Sequence, residues 1–173
     1  MSTLKLEISL QGEELETVSI IASPESWQTW LYTWLVYLSP NFSPIGAYEL
    51  SIQFTSDQGI TALNNQYRQQ DGPTDVLSFV ALDNNMPLSK GILAEIPFNL
   101  GDLIISVETA QRQCETHGHS LLEELAWLMA HGLLHLLGWD HPDELQLGRM
   151  LSMQRDLLAK VGMHLEDSQY FAG

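Results

Sequence analysis

The amino-acid sequence predicts an α+β fold, a small mixed β-sheet packed with helices. Two observations lead there. Stretches such as TLKLEISL (residues 3–10) and AYELSIQFT (47–55) alternate apolar and polar residues, the mark of strands with one buried face. Between and after them run apolar stripes at helical spacing, several opened by a recognisable cap. The resulting order is strand, helix, strand, helix, strand, strand and then three helices, which suits a mixed sheet with helices laid on it.

Each element has its own signal. In 3–10, Leu4, Leu6, Ile8 and Leu10 fall at period two. Ser23-Pro24-Glu25 opens a helix, with Ser at the cap and Pro at the first helical position. Trp27, Leu31, Trp34 and Leu38 then follow at helical spacing up to Pro40. After the strand at 47–55, Ser56 or Asp57 caps a helix in which Ile60, Leu63, Asn64 and Tyr67 share a stripe, ending near Asp71-Gly72-Pro73. VLSFVAL (76–82) is a dense strand, residues 83–99 read as a long loop, and LGDLIISV (100–107) is a strand. Glu108 to His117 is a helix stopped at Gly118. Ser120 and Glu123 make a capping box for LLEELAWLMAHGLLHLL (121–137), which Gly138 ends. Pro142 and Asp143 open a last helix, roughly 143–161. Nothing in the chain reads as an internal repeat, a linker or a second domain.

The chain has 173 residues, 45% of them apolar, enough for one domain with a real core. Cys114 is its one cysteine, so no internal disulfide forms. The first residues, MSTLKLEISLQGEEL, alternate and carry acids early, unlike a signal peptide. The longest apolar stretch, WLYTWLVYL, is too short to span a bilayer. A cytoplasmic protein without a membrane partner is expected. The net charge of −15, with seven Lys and Arg, repels polyanions over most of the surface. That counts against broad, non-specific nucleic-acid binding but not against a small local positive site.

HGLLHLLGWDH, from His131 to His141, holds three of the six histidines. The helix that carries the first two is apolar almost all round, hence buried. His131 and His135 are four apart and share one side of it. Such a pair serves either as a hydrogen-bonded couple in a core or as two ligands of one metal. His141 favours the metal. On a continued helix it would lie about 9 Å beyond His135. Gly138 instead ends the helix with a left-handed turn, and three residues bring His141 back to the other two. Three imidazoles leave a fourth position open, the layout of a catalytic rather than a structural zinc. His117 and His119, flanking Gly118, read as solvent-exposed, and His164 is assigned nothing. Gly132 stands where H-E-x-x-H hydrolases carry their proton-accepting Glu. Close packing against a neighbouring element or room for a bulky substrate would each explain it, and the usual route of peptide hydrolysis loses its base.

HGLLHLLGWDH resembles the signature of the YbeY family of metal-dependent endoribonucleases, H-G-x-L-H-L-x-G-aromatic-D-H, with Trp139 where Tyr is more usual. LNNQYRQQDGPTDVLSF, Leu63 to Phe79, is similar to a second family segment, with Gly72 as one extra residue. LGDLIIS, Leu100 to Ser106, is similar to a third. The resemblance implies a single YbeY-like metal-dependent hydrolase domain over residues 1–173, with a zincin-like site. It implies one Zn2+ per chain at His131, His135 and His141, and catalytic roles for Arg68 and His131. It further implies single-strand RNA cleavage in 16S rRNA 3′-end maturation and ribosome quality control, with ribosomal RNA and the small ribosomal subunit as partners.

Chemistry gives Arg68 a job of its own, since a guanidinium forks onto two oxygens of a phosphodiester under attack; as the last cation of its helix it also suits the helix dipole. Asp102 and Asp140 are candidates to orient an imidazole, or else turn and cap residues, while capping and register explain Thr74, Asp75 and Ser78 as well as substrate contact does. With so few cations, an RNA path must gather several in one cleft or be presented by a partner. Two other readings stand beside the nuclease: a ribosome-assembly binding factor with a structural metal, and a zinc peptidase-like hydrolase.

Overall fold

The structure, a computed structural model, describes residues 3–81, 91 and 94–165. Strand β1 (Lys5–Gln11) leads through helices α1 (Leu15–Ile21) and α2 (Pro24–Leu38) to β2 (Ala47–Thr55). Helix α3 (Asp57–Arg68) then leads to β3 (Val76–Val80) and β4 (Phe98–Ser106). Three helices close the chain: α4 (Val107–His117), α5 (Leu121–Leu136) and α6 (Glu144–Lys160).

The four strands form one mixed sheet in the order β1-β2-β4-β3. β1, β2 and β4 run parallel, joined by the helical crossovers that parallel pairing demands. β3 pairs antiparallel with β4, Leu77 opposite Ile104 and Val80 opposite Gly101, and forms one edge. The predicted α+β class, a small mixed sheet packed with helices, is the one observed.

Alternation along β4 sorts the helices onto two faces. Leu103 and Ile105 point into the main core with Ile52 and Phe54 of β2, Trp27 and Trp34 of α2, and the apolar body of α5. Ile104 points the other way, into a smaller cluster with Leu77 of β3 and Ile60 of α3. α6 closes over the main core, where the Trp34 indole donates to the Leu157 carbonyl at 2.6 Å. Among the described residues no helix is long and apolar enough to cross a membrane.

Most predicted caps are present. Ser23, Ser56 and Asp143 accept from the third residue beyond them, and Ser120 with Glu123 forms the full capping box. Several boundaries differ from expectation, β1 running Lys5–Gln11 and α5 ending at Leu136 among them. α3 stops at Arg68, because Gln69 takes the left-handed conformation at φ 56°. β3 extends to Val80, and position 82 of the expected strand lies outside the described residues. β4 begins at Phe98, inside the stretch expected to be loop, whose residues 83–90, 92 and 93 lie outside the described ones. It ends at Ser106, which caps α4, so Val107 belongs to the helix.

α1 was not expected at all. Val18 is its one buried residue and Ile20 is 87% exposed, so its sequence carries no apolar stripe. It is held instead from its entrance. The Glu13 carboxylate accepts from the Ser56 amide and the Thr55 hydroxyl at 3.0 Å each, and from the Ser56 hydroxyl.

Candidate metal centre and its cleft

The site is built on α5, a helix of sixteen residues of which eleven are buried. Burial fixes its rotation, and that rotation sends His131 and His135 to one side, Nε2 to Nε2 at 3.0 Å. The helix then ends in a Schellman turn. The Gly138 amide donates to the His135 carbonyl at 3.0 Å and the Trp139 amide to the Leu134 carbonyl at 2.9 Å. Gly138 has φ 98° with open space where a Cβ would sit, so the backbone conformation, not crowding, is what asks for glycine. Asp140 is a turn residue; its carboxylate accepts from the His141 amide at 2.8 Å.

This turn brings the third ring to the first two, as the spacing predicts. The His141 ring centroid lies 5.7 Å from that of His131 and 5.4 Å from that of His135. One ligating nitrogen from each lies within 4.8 Å of the others. Two nitrogens each about 2.0–2.1 Å from a tetrahedral zinc stand about 3.3 Å apart, so the three rings fit a single such ion.

Two features keep the rings ready to ligate. Burial holds the His131 imidazole below its ordinary pKa, against the opposing hydrogen bond to Gln154 and charge of Asp75, with a small further lowering from His141. Burial, then His131 and His141, do the same to His135. Neutral rings are the metal-binding form. The second feature is Gln154 of α6, fully buried. Its amide nitrogen donates to the Trp127 carbonyl at 3.3 Å, so its oxygen faces His131 Nδ1 at 3.0 Å and must accept. Nδ1 therefore carries the proton and Nε2 keeps its lone pair for a cation. Sequence reasoning missed Gln154; nothing in a polar residue on an amphipathic helix distinguishes it.

A cleft of about 360 Å³ opens beside the rings, lined by Arg68, Asp75, Val76, Leu77, Ser78, Val80, His131 and His135. β3, the edge strand, is its second wall. Arg68 reaches it from the last turn of α3, donating to the Ser78 carbonyl at 2.6 Å with its guanidinium carbon 5.0 Å from the Phe79 ring centre. It thus both ends its helix and lines the cleft. Ser78 also donates its hydroxyl to the Gly132 carbonyl at 3.4 Å, which links the Arg68 wall to the histidine helix. Asp75 lines the cleft while accepting from the Val76 amide at 2.8 Å. Asp102 does not join them; it lines a separate cavity with Tyr67, Gln53 and Asn99.

Gly132 is explained by packing. A Cβ there would lie 2.7 Å from Leu103 Cδ2 and 3.3 Å from Ser78 Oγ. Helix and sheet touch at this point, and the direction in which a Glu would leave the helix is filled by β4 and β3. His117 and His119 depart from expectation. Their side chains are 25% and 5% exposed, and both turn inward onto Glu124.

A family model described as Endoribonuclease YbeY matches residues 13–162. The chain is 45% identical to an "Endoribonuclease YbeY" of a Synechocystis species over 93% of its own length and 90% of that protein's. It is 47% identical to one of a Cyanothece species, covering 92% and 95%, and 50% identical to one of a Nostoc species, covering 83% and 77%. The solution structure of TM1509 from Thermotoga maritima shares the fold, with a TM-score of 0.54 at 21% identity over 90% of this chain and 91% of that one. The three converging imidazoles, the arginine-bearing cleft wall and a match from residue 13 to residue 162 agree: the chain belongs to the endoribonuclease YbeY family.

Proposed function

We propose that this chain is a zinc-dependent, single-strand-specific endoribonuclease of the cytoplasm, acting in 16S rRNA 3′-end maturation and ribosome quality control. The observation that carries this reading is one cleft with His131 and His135 on its helical wall, His141 beside them, and a guanidinium reaching its strand wall. His131, His135 and His141 would hold a single Zn2+. Bound there, zinc supplies Lewis-acid chemistry, acidifying water and polarising a phosphoryl oxygen.

The residues of the chain do the rest. Arg68, steadied by the Ser78 carbonyl and the Phe79 ring, places its remaining N–H groups on the phosphate as charge builds there. His131 would take part at the reacting centre as a ligand, holding the ion through Nε2 with its tautomer set by Gln154.

Arg68 is the one Lys or Arg among the described residues lining the cleft, while Arg112 is paired with Asp57 at 2.7 Å and Lys160 sits over Tyr37. This supports presentation of the RNA by a partner, and we assign that part to the small ribosomal subunit. A peptidase reading is disfavoured, because the place of the missing Glu is packed against Leu103.

The test is metal analysis of purified protein beside cleavage of ribosomal RNA, with His135→Ala as control. One zinc bound through this triad and RNA cuts that need His135 are expected. Cleavage that persists in His135→Ala, or turnover of peptides without turnover of RNA, overturns the assignment. Products ending in 2′,3′-cyclic phosphate identify the RNA 2′-OH as the attacking group.

A further inference from the structure

Glu124 is a carboxylate at 1% exposure, and its recorded partners are two imidazoles. His117 closes α4, Gly118 turns the chain at φ 76°, and His119 follows. His117 Nδ1 lies 3.0 Å and His119 Nε2 3.2 Å from the same oxygen, Glu124 Oε1. The ligating atoms of the three residues all lie within 4.8 Å of one another.

We propose that His117, His119 and Glu124 form a second divalent-cation site, zinc-like in preference and structural in role. Three observations support it. The first is charge: a carboxylate so far from water needs an opposite charge beside it. A divalent cation supplies that charge. The second is geometry. Both nitrogens converge on one oxygen at separations close to the roughly 3.3 Å edge of a zinc tetrahedron, and close to the 3.0 Å between His131 and His135. Two imidazoles and a carboxylate also suit a borderline cation better than a hard one, which prefers oxygen.

The third observation is how firmly the backbone presents the three groups. The Gly118 amide donates to the Cys114 carbonyl at 2.9 Å, which closes the turn between the two histidines. Glu123 is spent on the Ser120 capping box, which fixes the first turn of α5 and leaves Glu124 facing the rings. Cys114 is not counted as a ligand, since its buried thiol donates to the Gln111 carbonyl at 3.1 Å.

Glu124 and His131 are seven residues apart on the same side of α5, about 10 Å along its axis. The two sites are too distant to share an ion. The second would pin the end of α4 to the start of α5, and so brace the helix that presents His131 and His135.

The experiment is zinc stoichiometry of the full chain in metal-buffered Zn2+, paired with thermal melts with and without the ion. Wild type should bind two equivalents, and His135→Ala should keep one. In that His135→Ala background, adding Glu124→Gln, which preserves shape and removes the charge, should take zinc to none and abolish the remaining zinc-dependent rise in Tm. Should Glu124→Gln fail to fold, the part-exposed His117→Ala serves instead, with circular dichroism as the folding control. A wild type that binds one equivalent, lost in His135→Ala, overturns the proposal. So does an unchanged stoichiometry in a folded Glu124→Gln or His117→Ala chain.

Discussion

His131 Nδ1 stands 3.0 Å from the amide oxygen of Gln154, a residue 23 positions later on a different helix. This contact sets the tautomer of a candidate ligand, and such outer contacts typically carry about 10–100-fold in metal affinity. Gln154→Ala should therefore weaken zinc binding by about that factor. Titration against a competing chelator measures it; an unchanged affinity would show that the ring keeps its tautomer unaided.

Gly132 separates two effects that the sequence leaves entangled. Gly132→Ala gains about 1 kcal/mol of helix propensity and must displace one Leu103 methyl, so its stability should stay within about 1 kcal/mol of wild type. Gly132→Glu drives a carboxylate into Leu103 and Ser78 and should cost about 3 kcal/mol or more. Urea denaturation compares them. A stable Gly132→Glu chain that cleaves peptides would contradict the packing account.

Arg68→Ala should lower kcat for RNA about 10²–10³-fold, the usual cost of removing one donor to developing charge. Zinc stoichiometry and Tm should hardly change, because the side chain is exposed and loses one bond to Ser78 and a surface contact with the Phe79 ring. Arg68→Lys should recover little, since an ammonium lacks the fork. Equal rates in wild type and Arg68→Ala would remove Arg68 from the chemistry.

With one cation in the cleft, affinity for free single-stranded RNA should depend weakly on salt. The logarithmic slope against KCl is expected near about −1, each neutralised phosphate contributing about −0.7. Fluorescence anisotropy across a salt series reads it directly. A slope steeper than about −3 would mean an RNA path over several further bases.

Asp57 links acidity to stability. Burial raises its pKa, but hydrogen bonds from Arg112, Thr109 and Ser106, with the charge of Arg112, outweigh burial and bring it to about 2 from 3.8. Its folded pKa lies below its unfolded one. The stabilisation is therefore complete above about pH 4 and lost as pH falls towards 2. Asp57→Asn should destabilise by on the order of 1–2 kcal/mol at neutral pH and by almost nothing near pH 2, as thermal melts across that range would show.

The sequence announced those parts whose cause is local. Ser120 with Glu123 is a cap readable in four residues, and H-x3-H followed by Gly138 and His141 is a geometry readable in eleven. Gln154, Asp75 and Ser78 were not assigned to the site, because what makes them matter is the distant surface against which they lie. His117 and His119 were misplaced for the same reason. A Gly between two histidines looks like an exposed turn until Glu124 is seen to draw both rings inward. Arg68 was singled out by family resemblance, and its place beside Ser78 and Phe79 was visible only once β3 stood next to it.

Two members of the histidine triad ride on a packed helix and the third follows a break in it. The first pair is therefore in position as soon as the interior has condensed, with or without a guest. The third depends on the left-handed step at Gly138, so a side chain introduced there would reach the site through the backbone alone.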